Sequence, residues 1–152
     1  MKRVIGGHWG QSPRLAEMAS ENKIEAYNFP QGIMAQLART AAAGQPGILS
    51  HVGLGTFIDP RVSGGKLNEV TKEDLIKVMN VDGKEWLYYP VVPLDVCLIR
   101  ATTADTEGYA SMEEEITYID VLQLAQAVHN NGGTVILQVK RLVKAGTLIR
   151  KA

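Results

Sequence analysis

The feature that most constrains this chain is a regular alternation across its first 52 residues. Short apolar runs, each closed by glycine or proline, trade places with segments of helical period. RVIGG (Arg3–Gly7) reads as a strand opening into a loop. Ser12-Pro13 offers an N-cap and a first-turn proline for a helix in which Leu15, Met18 and Ala19 keep helical spacing to about Ser20. EAYNF (Glu25–Phe29) is a second strand, ended by Pro30. Met34, Leu37, Ala38 and Ala41 then fall at i, i+3, i+4 and i+7, one apolar helical face. Gly44 stops that helix in the C′ manner, with Pro46 just beyond, and GILSHV (Gly47–Val52) follows as a third strand. A β-α-β-α-β order with crossovers this short calls for parallel strands with helices packed on the sheet.

The middle of the chain breaks the rhythm. GLGTFIDPRVSGGKLN (Gly53–Asn68) is glycine-rich and lacks a sustained period. A connection of that length inside a compact domain is usually functional. LIKVMNV and KEWLYYP flank Asp82-Gly83, two residues that tolerate positive φ, so a hairpin insertion is expected at about 75–89. DVCLIRA (Asp95–Ala101) is apolar on both alternating faces, as for a strand covered on both sides. Ser111 with Glu114 fits a capping box, and Glu113–Glu115 equally fits a plain acidic first turn, for a helix carried by Ile119, Leu122, Ala125 and Val128 to Asn130. TVILQVKRLV (Thr134–Val143) is a last strand. The expected architecture is α/β: an open, mainly parallel sheet with helices on both faces and an inserted hairpin, forming one partial domain over residues 1–152.

Several function classes drop out on composition. Sixteen basic residues balance sixteen acidic ones, which gives no electrostatic reason to expect a nucleic acid or an anionic membrane as partner. No apolar run approaches the roughly 20 residues of a membrane span, and MKRVIGGHWG is no signal peptide. Cys97 is the only cysteine, so a disulfide within the chain and a sulfur-rich metal site are both out of reach. The cytoplasm is the expected location. His8, His51 and His129 do not pair at metal-ligand spacing, so no metal is expected.

The candidate chemistry sits at strand ends. In NFPQGIMAQLAR (Asn28–Arg39) a strand gives way to a helix at Pro30-Gln31-Gly32, which presents free backbone N–H groups at the carboxyl edge of the sheet. Gln31 adds two donors and an acceptor without charge, suited to orienting a carbonyl or carboxylate. Gly32 allows close approach to the backbone. Pattern alone leaves a plain strand-to-helix turn equally open. Gly53-Leu54-Gly55-Thr56 also follows a strand but lacks dinucleotide spacing and opens no helix. Glu113–Glu115 is the only dense carboxylate cluster, and consecutive helical residues point in different directions, so capping and solvation are its expected roles. Cys97 lies mid-strand, and no serine stands in a nucleophile elbow. The residues outline a ligand cleft without a nucleophile.

Taken together, GGHWGQSPRL, EAYNFPQGIMAQLAR, VGLGTFIDPR, GGKLN, TTADTEGYASMEEE and QVKRLVKAGTL resemble the family I coenzyme A transferases, specifically the acetate/propionate (short-chain acyl) type built as one long chain. The resemblance implies a reaction that moves CoA between an acyl-CoA and a free carboxylate through a glutamyl-CoA intermediate. Coenzyme A is then a substrate, and no cofactor is permanently bound. Carried over by motif, Gln31 matches the glutamine beside the acyl group and Gly32 its helix-start partner. Gly53, Gly55 and Thr56 match the loop bordering the acyl pocket. The family's Ser-Glu-Asn-Gly-like motif and its Gly-Gly-Phe signature have no counterpart here. The resemblance therefore implies an internal piece of the α-subunit-like half, inactive alone, with the remaining half or a partner subunit supplying the glutamate and a homo-oligomer as the assembled form. Two readings of other classes stand beside it: a non-catalytic module sensing acyl-CoA or a sugar phosphate, and a structural subunit.

Overall fold

The computed structural model describes residues 1–148. The chain divides into two compact units, one of Met1–Ala41 with Gln45–Val92, the other running from Pro93 together with Ala42–Gly44. Eight strands and three helices are formed among the described residues, so the α/β class holds.

In the first unit, β1 (Arg3–Gly6) and β2 (Glu25–Asn28) pair in parallel, with α1 (Pro13–Ser20) as their crossover. Pro13 opens α1 as expected, but the Ser12 hydroxyl makes no capping bond; its carbonyl instead accepts from the Ala16 N–H at 3.0 Å. Helix α2 (Gln31–Ala42) ends in the predicted way. Gly44 lies at φ +67°, and the Gln45 N–H reaches back to the Thr40 carbonyl at 3.0 Å, the outer bond of a Schellman cap.

The third strand departs from the expectation. β3 (Gly47–Ser50) does not join β1 and β2 but pairs antiparallel with β5 (Lys84–Pro90), which pairs antiparallel with β4 (Lys77–Val81). The hairpin is thus part of β3's own sheet. Its turn is the one predicted: Asp82 and Gly83 lie at φ 52° and 75°. The place beside β2 is taken by the long loop. Asn28 N–H donates to the Gly65 carbonyl at 2.7 Å, Leu67 N–H to the Ala26 carbonyl at 2.9 Å, and Tyr27 bridges to Lys66. Gly65 is obligatory there, because a Cβ would stand 2.6 Å from the Asn28 carbonyl oxygen. Asn68 secures the loop's far end, its amide donating to the Ala19 and Ile24 carbonyls.

One buried cluster ties these parts together. Tyr27 and Phe29 come from β2 and its end, Ile33 from α2, Ile58 from the loop, Ile76 from beside β4, and Leu87 and Tyr89 from β5. Phe29 meets Tyr89 edge-on at 5.7 Å.

In the second unit, β6 (Val96–Asp105) lies between β7 (Ala110–Ser111), antiparallel, and β8 (Thr134–Val143), parallel. Helix α3 (Val121–Asn130) packs on β6 and β8. Two expectations fail here. Val96 and Leu98 are 56% and 79% exposed, so β6 is not covered on both faces; α3 lies on the face of Ile99, Val135 and Leu137. Nor does Glu113–Glu115 begin a helix. Ser111 is in β7, and α3 starts only after Asp120, itself at φ 62°. The capping box fails because the Glu114 N–H is taken by the Thr102 hydroxyl at 3.0 Å. No helix among the described residues is long and apolar enough to cross a membrane.

Candidate functional site

Pro30 sets the geometry of the first candidate. It has no N–H, its ring fixes φ, and its carbonyl accepts from Ile33 and Met34 at 2.9 and 3.1 Å, winding the first turn of α2. Among the described residues none accepts from the backbone N–H of Gln31 or Gly32, so both donors stand free at the helix start. Gln31 is exposed. Its side chain crosses the backbone of Gly7, where an added Cβ would stand 2.4 Å from the Gln31 Cγ. Gly7 directly follows β1, and Phe29 N–H donates to the Gly6 carbonyl at 3.0 Å. The amide therefore sits at the carboxyl edge of the parallel β1–β2 pair. A Cβ on Gly32 would meet nothing within 4 Å, so the space above that backbone is open.

The second candidate is the turn after β3. Gly53 and Gly55 adopt φ +97° and +71°, which explains both glycines. A Cβ on Gly53 would stand 2.8 Å from the Tyr89 hydroxyl and 2.9 Å from Ile58 Cγ2, while one on Gly55 would meet open space. The Thr56 hydroxyl is engaged in shaping the turn: it donates to the Gly53 carbonyl at 2.8 Å and accepts from Ile58 N–H at 3.2 Å. Tyr89 clamps the turn from below, donating to the Val52 carbonyl at 2.6 Å, and burial pushes its phenol up to about 12, so it keeps its proton. Leu54 and Ile58 pack on the same cluster as Phe29, Ile33 and Met34. Gln31, Gly32 and the 53–56 turn thus rest on one core.

Sequence reasoning missed Asp59. Its side chain is 1% exposed, yet its carboxylate accepts four hydrogen bonds, from Gly55 N–H (2.9 Å), Arg61 N–H (3.0 Å), Arg61 Nε (3.0 Å) and Arg61 Nη2 (2.8 Å). Arg61 then reaches Glu85 on β5 through Nη1, at 3.0 and 3.1 Å. The Arg61 guanidinium, followed by the Gly55 N–H, holds the Asp59 carboxyl well below the usual carboxylate range. The Asp-Pro pair signalled only a loop.

The carboxylate cluster is committed elsewhere. Glu113 pairs with Arg141 at 3.0 Å, Glu114 with Lys140 and Arg141 at 2.6 and 2.8 Å, and Glu115 with Arg100 at 3.3 Å. Hydrogen bonds from Ser111 and Thr103 hold the Glu113 carboxyl down at about 2. Burial raises the Cys97 thiol, which disfavours the thiolate. No group of three or more His, Cys, Asp or Glu among the described residues could hold a metal ion. A cavity of about 630 Å³ lies in the second unit between α3, β6 and β8, and it contains none of the five candidate residues. Its lining is apolar and offers no group for acyl transfer.

Comparison with known proteins gives these features a common setting. Over its full length the chain is 59% identical to acetate CoA-transferase YdiF of Escherichia coli K12, spanning 29% of that protein. It is 41% identical, over 93% of its length, to 27% of caffeate CoA-transferase from Acetobacterium woodii. The chain thus spans less than a third of these relatives. The crystal structure of acyl-CoA transferase YdiF from Escherichia coli O157:H7, as a thioester complex with CoA, superposes with a TM-score of 0.94 over 98% of this chain and 29% of that one, at 59% identity. The sequence pattern of the family described as Coenzyme A transferase matches residues 1–151. This chain belongs to the coenzyme A transferase family.

Proposed function

We propose that this chain is the α-type segment of a short-chain acyl-CoA:carboxylate CoA-transferase working in the cytoplasm as an oligomer, with coenzyme A as substrate and no permanently bound cofactor. The observation that carries the reading is 59% identity to an acetate CoA-transferase along the whole chain. The CoA thioester recorded for that relative's counterpart supports a covalent route. A glutamate outside this chain attacks the acyl-CoA carbonyl, and the CoA thiolate leaves to give a mixed anhydride. The thiolate then attacks the anhydride at the glutamyl carbonyl, which releases the first carboxylate and forms glutamyl-CoA. An incoming carboxylate runs the same steps in reverse and departs as the new acyl-CoA. Each attack places negative charge on a carbonyl oxygen.

Within that scheme Gln31 donates its amide N–H to the acyl or carboxylate oxygen, and the open backbone at Gly32 lets the substrate approach. Gly53, Gly55 and Thr56 form the wall facing the acyl group. A neutral amide suits this role because it stabilises a developing oxyanion without trapping the carboxylate product in an ion pair. The ion pairs of Glu113, Glu114 and Glu115 agree with a nucleophile supplied from elsewhere. The test is a chimera in which these 152 residues replace the equivalent segment of the Escherichia coli relative. We expect acetate–acetyl-CoA exchange by the chimera and none by the 152-residue chain alone. A folded, oligomeric chimera without exchange would overturn the assignment.

A further inference from the structure

We propose that Asp59 is the positioning residue of the acyl-facing turn, and that Arg61 and Glu85 anchor it to the hairpin. The inference rests on the reading that residues 53–56 face the acyl group. Its basis is the geometry around one buried carboxylate. Every side of Asp59 is used to shape the loop. Its N–H donates to the Thr56 carbonyl at 3.0 Å, and its carbonyl accepts from Val62, Ser63 and Gly64 at 2.9, 3.1 and 3.0 Å. Its Oδ2 takes the Gly55 N–H, the one side-chain bond that reaches back into the turn.

Stability alone gives a poor reason for this arrangement. A charge sealed from water costs desolvation that its partners largely only repay, and an apolar side chain of similar size would fill the space at no such cost. What the ionised carboxylate supplies is direction. Its two oxygens, fixed by the planar Arg61 fork, leave Gly55 one orientation, with the amide drawn inward and the α-carbon bare on the open side. Glu85 holds the far end of the fork. Glu85 lies on β5, four residues before Tyr89, whose hydroxyl holds the Val52 carbonyl. The turn is therefore gripped at both ends from a single strand. A pocket wall that must present a small acyl group within a fraction of an ångström needs such a grip.

The test uses the chimera with D59N, which keeps the side-chain shape but places an amide NH2 against donors. Two readouts are expected to move together: Gly55 amide exchange accelerates at least tenfold, and kcat for acetate falls tenfold to a hundredfold, the scale of a misplaced substrate, while KM for acetyl-CoA stays within twofold. R61K, which keeps the charge but loses the fork, is expected to give a smaller kcat loss of the same kind, and it carries the test should D59N not fold. Unchanged kcat in a folded variant whose Gly55 exchange has accelerated overturns the proposal, as does unchanged exchange. G55A separates this failure from that of the underlying reading. If G55A lowers kcat and D59N does not, Asp59 positions nothing; if neither does, the turn does not face the acyl group.

Discussion

Replacing Gly7 by alanine probes the active edge without touching a residue that would meet substrate. The new Cβ would lie 2.4 Å from Gln31 Cγ, 3.3 Å from its Cβ and 3.2 Å from its Cα. Carbon atoms pack at about 3.5–4.0 Å, so Cγ must retreat by about an ångström or more, and only a change of Gln31 rotamer provides that. Stability should barely change. Gly7 does not lie at positive φ, so alanine fits the backbone, and its smaller unfolded-state entropy contributes about 0.4–1 kcal/mol. The displaced, exposed Gln31 costs about 0.5–1.5 kcal/mol in rotamer energy. These terms offset. Turnover should not be spared: moving the amide amounts to removing one oxyanion donor, about 10²-fold in kcat. The assay is acetate–acetyl-CoA exchange by the chimera as a double-mutant cycle. G7A and Q31A should each cost about 10²-fold, and the double variant little more than either. Losses that multiply in the double variant, or full turnover in G7A beside an impaired Q31A, would refute the placement of Gln31 over Gly7 as the functional one.

Three further outcomes follow from the structure. Because the Asp59 carboxyl is held below its ordinary value of 3.8, its stabilising contribution is whole at neutral pH. It shrinks as the unfolded carboxyl takes up its proton, and is gone only after the pH falls through the lower native value; D59N should flatten this acid limb in thermal melts recorded against pH. N68A strips the donors from the Ala19 and Ile24 carbonyls and should cost about 1–3 kcal/mol in denaturant unfolding. Leu98 pairs in register with Ile136, which is 48% exposed, on the bare face of β6 and β8, so L98K should reduce apolar-dye fluorescence of the isolated chain and change its stability by less than about 0.5 kcal/mol.

Local devices were legible in the sequence because they depend on one or two residues. Gly44 closes α2, Asp82-Gly83 turns the hairpin, Pro13 opens α1, and Pro30-Gln31-Gly32 marks the start of α2. Partner choice was not legible. GILS carries a strand period whether it pairs with β2 or β5, and nothing in the pattern says that Lys66 and Leu67 will occupy the edge of β2. The alternation in Val96–Ile99 fits burial on both faces, yet burial depends on what covers each face, and α3 covers one. Glu113–Glu115 has the composition of a helix start, but Thr102, Thr103 and Arg141, distant in sequence, claim those groups first. Asp59 stayed hidden for the same reason: its role is created by Arg61 two residues on and a glutamate 26 residues away on the hairpin. The five candidate positions came from motif, and the structure sets them on a common core.

Where CoA becomes attached decides whether the attacking carboxylate lies outside this chain. The chimera, incubated with acetyl-CoA, digested at low pH and mapped by mass spectrometry, should carry its CoA adduct on a glutamate outside residues 1–152, with Q31A forming that adduct about 10²-fold more slowly. An adduct on Glu113, Glu114 or Glu115 would contradict it.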